Sequence, residues 1–563
     1  MEGMKAGIIF SALALAPWTL SAQTADLVLR GGKVITVDPA DRIAEAVAVE
    51  GNRIAAVGTV AEIAPRIGPD TRVIDLEGRA LLPGFIDAHS HVEGLAESEN
   101  ARLPVHIPHS LKTTADILDR LKERASEIPP GTWIVGQGTY NQPMPTREEL
   151  DRAVPEHPVV LRWSSHDLLL NHRAVEVAGL QNAPDPTNGI GRIERTSSGE
   201  PAILRDAGIE LPLPHPSFDD MRKWIPKTLR DFYLSKGVTS VYDMSSPDVA
   251  YRIYQDLKAK GELPVRLLIS YRTNEAEPLL RVGIRTGFGD DWIRVGAIKF
   301  MQDGVWGTTA ATYAPAWKGS GTTWVPSNYG GLRFEQEELD RRVLEVHRAG
   351  WQVWTHANGD RGQDAVITAY EAAQKAHPRP DARHRIEHFG HFLVQDPKRT
   401  AERLERMKRS GIIPSPQVCF LWRLTDEGVK EPDVKFFPMK TLIDEGFHPA
   451  GGSDTLGTQN FATHPLFSIS VAVNRKTKHG TPVQTEEAIS VMDAIRMFTI
   501  WAAESGFEEK VKGSIEAGKL ADLVVLSSDP LTAAPEKLAE IAADVVVLDG
   551  NVAYERPLRR PSR

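Results

Sequence analysis

Apolar and polar positions alternate in short runs at both ends of the chain, and a longer-period pattern fills the middle. Near the start the runs are Leu27-Val28-Leu29-Arg30-Gly31-Gly32, Val34-Ile35-Thr36-Val37, Val47-Ala48-Val49 and Ile54-Ala55-Ala56-Val57. Near the end they are Ala521-Asp522-Leu523-Val524-Val525-Leu526 and Val545-Val546-Val547-Leu548-Asp549-Gly550. Runs of this length, closed by glycine turns, predict β-strands. Two β-rich ends of one texture predict a single discontinuous β-sandwich domain built from residues 23–80 and 512–563.

Between these ends, strand-like runs alternate with helical spacing, the pattern of βα units and a parallel sheet. Eight runs qualify: Leu81–Ala88, Val238–Met244, Val265–Ser270, Ile293–Phe300, Gln352–His356, Arg383–His388, Ile412–Gln417 and Pro449–Asp454. Each is followed by helix-compatible sequence. The prediction is an α/β fold, a (β/α)8 TIM-like barrel over residues 81–511. Roughly 140 residues (95–235) separate the first two strands, far beyond an ordinary βα connection. This insertion carries strand-like runs of its own, Trp133–Val135 and Val159–Trp163, and is expected to cover the barrel mouth as a lid.

The 563 residues suffice for a large core and more than one domain. A net charge of −9 over this length gives no electrostatic footprint for nucleic acid, and Arg556, Arg559, Arg560 and Arg563 read as a solvated tail. Cys419 is the only cysteine, which excludes an intramolecular disulfide and a thiolate zinc site. The apolar run before it makes Cys419 a core residue rather than a nucleophile. Residues 1–22 read as an export signal: Lys5, the apolar run Ala6–Leu15, the break at Pro17-Trp18, then small Ser21 and Ala22. That run is too short to span a bilayer as a helix. Cleavage near Ala22 is expected to leave a periplasmic or secreted protein without membrane attachment. Its expected partner is a small-molecule substrate, and a homodimer stays open.

Polar clusters close several of the predicted barrel strands: His89-Ser90-His91, Lys299, His356, His388 and Asp454. They fall at the C-terminal ends of strands one, four, five, six and eight, the rim where barrel active sites sit. Residues i and i+2 of a strand share a face, so His89 and His91 can grip one ion. Imidazole and carboxylate donors suit Zn2+ or a similar first-row cation. Taken singly, each has a plainer reading. His89 and His91 could be a packing pair, His356 and His388 rim histidines, Asp454 a cap, and Lys299 the ion-pair partner of Asp303. Their shared place at one rim decides for a metal site. Aromatics follow strand four (Trp306, Trp317, Trp324) and strand seven (Phe420, Trp422). They favour an apolar or aromatic substrate, although loop packing accounts for any single one. Trp306, Asp303, Phe420 and Trp422 are the candidate substrate contacts.

Five segments carry a resemblance: Pro83-Gly84-Phe85-Ile86-Asp87-Ala88-His89-Ser90-His91, Lys299-Phe300-Met301-Gln302-Asp303-Gly304, His356-Ala357-Asn358-Gly359-Asp360-Arg361, His384-Arg385-Ile386-Glu387-His388 and Gly452-Ser453-Asp454. With the closing stretch Gly513–Leu523, the ordered set resembles the metal-dependent amidohydrolase superfamily, in the amidohydrolase 3 group that contains N-substituted formamide deformylases. The resemblance implies that His89, His91 and Asp454 bind the more buried of one or two divalent ions. It implies that His356 and His388 bind the second, with Lys299 bridging as a carbamate. It further implies attack on an amide carbonyl by metal-activated hydroxide, with Asp454 carrying the proton to the departing amine.

His166, in Ser164-Ser165-His166-Asp167, is the candidate donor to the carbonyl oxygen, beside its plainer reading as a loop histidine paired with Asp167. Two departures stand out. Ser165 replaces a glycine, and Thr308-Thr309-Ala310-Ala311 lacks the arginine common in relatives, a cation that a carboxylate substrate would use. The expected function is an exported hydrolase of carbon–nitrogen bonds in apolar or aromatic amides or formamides. The alternatives are a cyclic imide, lactone or carbamate hydrolase, or a non-catalytic metal-binding protein, which would have no use for Asp454 as a proton carrier.

Overall fold

Gly84 divides the first predicted barrel strand in two. Ala80–Pro83 pairs with Leu523–Leu526 and Leu27–Ile35 in a sheet built from both chain ends, and Phe85–Ser90 begins the barrel. The computed structural model describes residues 24–557, apart from 106–112, 140–141, 164–165, 245–247, 306–308, 315–328, 391–392, 395–396, 425, 427–428 and 430–433. The export signal, Ser165, Trp306, Trp317 and Trp324 lie outside the described residues.

Seven parallel strands form the central sheet in chain order: Phe85–Ser90, Val238–Asp243, Arg266–Arg272, Ile293–Met301, Gln352–His356, Arg385–Glu387 and Ile413–Ser415. The alternation is plain. Ile86, Ala88, Tyr242, Leu268, Ala297 and Trp354 fill the barrel interior. Phe85, Val241, Ile269, Ile298, Val353 and Ile386 point outward into the larger core beneath the helices.

The expected eighth strand, Pro449–Asp454, is not a regular strand. The segment still closes the barrel. Ala450 N–H donates to Pro414 O (3.1 Å), Ala88 N–H to Gly451 O (3.0 Å) and Asp454 N–H to His89 O (2.7 Å). Two glycines and the left-handed backbone of Asp454 (φ 47°) interrupt the ladder. A Cβ on Gly452 would stand 2.6 Å from His89 Cβ, so only glycine lets the chain pass the first strand this closely.

The terminal sheet has eight strands and is one hydrogen-bonded sheet, not the two of the predicted sandwich. One face closes around Leu29, Val47, Leu81, Leu523 and Val525. Leu82, Val524 and Val546 on the other face join the barrel core. The insertion forms a separate six-stranded sheet that includes Ile134–Gln137, Val159–Arg162 and Asp167–Leu170. No helix among the described residues is long and apolar enough to cross a membrane. Cys419 is buried, and burial pushes its thiol up to about 12, in keeping with a core role.

Candidate metal centre

The ends of strands one, six and eight converge. Ligand-capable atoms of His89, His388 and Asp454 lie within 4.8 Å of one another. Asp454 Oδ1 stands 3.4 Å from His89 Nε2 and 3.2 Å from His91 Nε2. Asp454 Oδ2 is 3.9 Å from His388 Nδ1. Simple strand alternation does not explain this convergence. A bulge between Asp87 and Ser90 re-aims the end of strand one, and His91 lies beyond it, as the residue that precedes helix Val92–Asn100. His388 follows Glu387 with φ 67°, which lets consecutive residues both reach the barrel mouth. Left-handed backbone at two candidate ligands, neither of them glycine, is strain of the kind functional sites retain.

His89 Nδ1 lies 2.5 Å from Glu387 Oε2. Donation of Nδ1–H to that carboxylate leaves the Nε2 lone pair free, and Nε2 is buried with no hydrogen-bond partner. A buried imidazole nitrogen left without a partner beside a carboxylate fits a divalent cation. Burial works against the Asp454 charge, but His89, His91 and His388 outweigh it and hold its pKa well below the usual carboxylate range. Arg385 grips Glu387 with two bonds (2.8 and 2.9 Å), so the carboxylate that orients His89 is itself fixed.

His356 and Lys299 stand differently. The His356 ring centroid is 4.4 Å from that of His388, but its Nε2 faces Gly304 O (3.1 Å) and Asn358 Nδ2 (3.0 Å). Among the described residues one cluster is assembled, and it takes His388 rather than pairing His388 with His356. Lys299 is 7% exposed, and its amine makes no hydrogen bond or ion pair among the described residues. Asp303 is not its partner. The Asp303 carboxylate instead accepts N–H groups from Asn358 (2.9 Å), Gly359 (2.7 Å) and Ala311 (3.0 Å), and burial pushes it up to about 7. Asp303 therefore organises the loops after strands four and five, which leaves its carboxylate little capacity as a substrate contact.

His166 comes from the insertion, and its ring centroid is 5.7 Å from that of His356. Its Nδ1 bonds Asp206 (2.5 Å) rather than Asp167, whose carboxylate pairs with Arg205 (2.9 Å). Burial opposes charge on His166, but Asp206 outweighs it and pushes the imidazole up to about 9. Asp206 also bonds Thr309 and the Val305 N–H (3.2 Å), which fastens the insertion to the loop after strand four. On the other rim Phe420 is buried under the Arg423 guanidinium (3.8 Å), and Trp422 packs edge-on against Phe461 (5.2 Å). Sequence reasoning missed Glu387 and Asp206. Glu387 carried one signal, its place beside His388 at a strand end; Asp206 carried none.

Comparison with known proteins gives the family. The sequence profile of the amidohydrolase family matches residues 72–554, and the chain belongs to that family. It is a hydrolase acting on carbon–nitrogen bonds other than peptide bonds. N-substituted formamide deformylase of Arthrobacter pascens is 30% identical, over 95% of this chain and 99% of its own. The putative amidohydrolase YtcJ of Bacillus subtilis (strain 168) is also 30% identical, over 93% of this chain and 99% of its own. In fold, the chain is similar to an uncharacterized metal-dependent hydrolase from Pyrococcus horikoshii OT3, with a TM-score of 0.67 and 22% identity over 90% of this chain and 99% of that one.

Proposed function

We propose that this enzyme hydrolyses amides or formamides bearing an apolar or aromatic group, with one divalent cation, Zn2+ by donor chemistry, held by His89, His388 and Asp454 and flanked by His91. The observation that carries this reading is the partnerless His89 Nε2 beside the Asp454 carboxylate. A cation bound there would lower the pKa of water toward roughly 7 and polarise a carbonyl. The remaining chemistry belongs to the chain. Asp454, held ionised, takes the proton of the attacking water and returns it to the departing amine. His166, charged at neutral pH through Asp206, donates to the carbonyl oxygen as negative charge develops on it. Similarity to a formamide deformylase supports the substrate class, whereas Phe420 and Trp422 are taken up in packing with Arg423 and Phe461.

Release of free amine from a panel of aryl and alkyl amides and formamides tests the reading. Metal-replete protein should release amine and chelated protein should not; amine release that survives exhaustive chelation removes the metal from the reaction. Export is part of the same proposal. Intact mass of the protein from its native cell envelope should begin near Gln23, and a full-length cytoplasmic species would overturn it.

A further inference from the structure

The insertion holds a cation without an ion-pair partner among the described residues. Arg162 closes the strand Val159–Arg162, and its guanidinium makes no hydrogen bond or ion pair among the described residues. Its Nε is fully buried without a partner, although the side chain as a whole is only half-buried. Other sunken arginines of the insertion are matched. Arg205 has Asp167 (2.9 Å) and Glu194 (2.5 Å), Arg147 has Glu200 (2.5 Å), and Arg102 has Glu97 (2.6 Å). Removing a charge from water without a partner is costly, and such a group persists where a ligand completes it.

Its neighbours set it on the side of the insertion that meets the barrel loops. Arg162 lies in register with Gln137 on one side and Leu168 on the other. Gln137 accepts from Arg102 (2.9 Å), and a Cβ on Gly457, three residues past Asp454, would stand 3.6 Å from the Gln137 carboxamide carbon. Arg162 and Arg102 share the field of one carboxylate, Glu97, on the helix that starts after His91. Burial, then Arg102, depresses the Arg162 pKa to about 10 against the pull of Glu97. The guanidinium therefore occupies the seam between the insertion, that helix and the loop beyond Asp454. His166 stands two residues before Leu168, the register partner of Arg162. The stretch directly after strand four, residues 303–314, contains no arginine or lysine.

We propose that Arg162 binds a carboxylate carried by the substrate, so that the amides cleaved here have an anionic end, as in N-acyl amino acids. A guanidinium fork matches a planar carboxylate with two parallel hydrogen bonds. The proposal rests on the amide-hydrolase reading above. The test compares N-formylphenylalanine with its carboxamide on metal-replete wild type, R162M and R162K, with phenylacetate binding measured by calorimetry. Wild type should prefer the acid. R162M should lower the acid-to-carboxamide ratio of kcat/KM about 10²-fold, through KM, and R162K should recover part of it. R162M should also keep or raise Tm, because it removes an uncompensated cation; a merely structural arginine would lower Tm and affect both substrates alike. An unchanged ratio overturns the proposal. If neither compound is cleaved, the reaction reading fails and phenylacetate alone decides. Affinity at least about tenfold weaker in R162M supports the carboxylate site, and equal affinity overturns it.

Discussion

Asp454→Asn is expected to lower turnover at least about 10²-fold, the usual reach of a positioned acid–base group. Its carboxylate lies within 3.4 Å of both histidines of the first strand end, and its backbone N–H is tied to His89 O (2.7 Å). The amide replacement preserves that backbone tie and the side-chain shape, but it cannot accept a proton from water and pass it on. Asp454 is also a candidate ligand, so metal content must be measured on the same sample. His166→Ala supplies the contrast, because His166 lies outside the His89, His388 and Asp454 cluster. It should lose turnover while metal content stays level. Near-normal turnover in Asp454→Asn would remove Asp454 from the mechanism, and metal loss in His166→Ala would make that histidine a ligand.

Lys299→Ala is expected to lose most activity together with bound metal. The lysine is buried, its amine has no hydrogen-bond or ion-pair partner among the described residues, and burial depresses its pKa to about 8 even though Glu387 and Asp454 pull it upward. A neutral amine of this kind can attack carbon dioxide. The new N–C bond forms, one C=O electron pair moves to oxygen, and the amine proton leaves to solvent. The product would be an anionic carbamate, which a cation bound at the rim would stabilise while disfavouring the ammonium. Metal analysis of Lys299→Ala should show fewer equivalents than wild type, and a short carboxylate in the buffer should restore part of both metal and rate. Because deleting a buried lysine also leaves a cavity, Tm is followed in parallel. A folded Lys299→Ala with wild-type metal and full turnover would defeat the carbamate.

The barrel was legible because period-two apolar runs separated by helical spacing have few other architectures open to them. Six of the eight predicted runs are single strands with ends shifted by at most a few residues, and the first is split at Gly84 between two sheets. The eighth failed as a strand because Gly451-Gly452 and the left-handed Asp454 replace a ladder with three isolated hydrogen bonds. Within the candidate site, His89, His356, His388 and Asp454 were visible as polar residues closing apolar runs. Their division between metals was not. His356 turns to Gly304, and His388 joins His89 through a positive φ that no local pattern signals. Asp303 shows the same limit, since a carboxylate four residues from Lys299 proved to serve backbone amides of other loops.

Residue type and periodicity, acting over a few neighbours, were enough for the fold class, the two-ended terminal sheet and the long insertion. Contacts between distant segments set the rest. Glu387 reaches His89 across 298 positions of chain, and Asp206 reaches His166 across 40. Arg162 stands out only once the acids around its neighbours are seen to be taken. Burial and pairing depend on which atoms share a volume, and a sequence states only which residues share a chain.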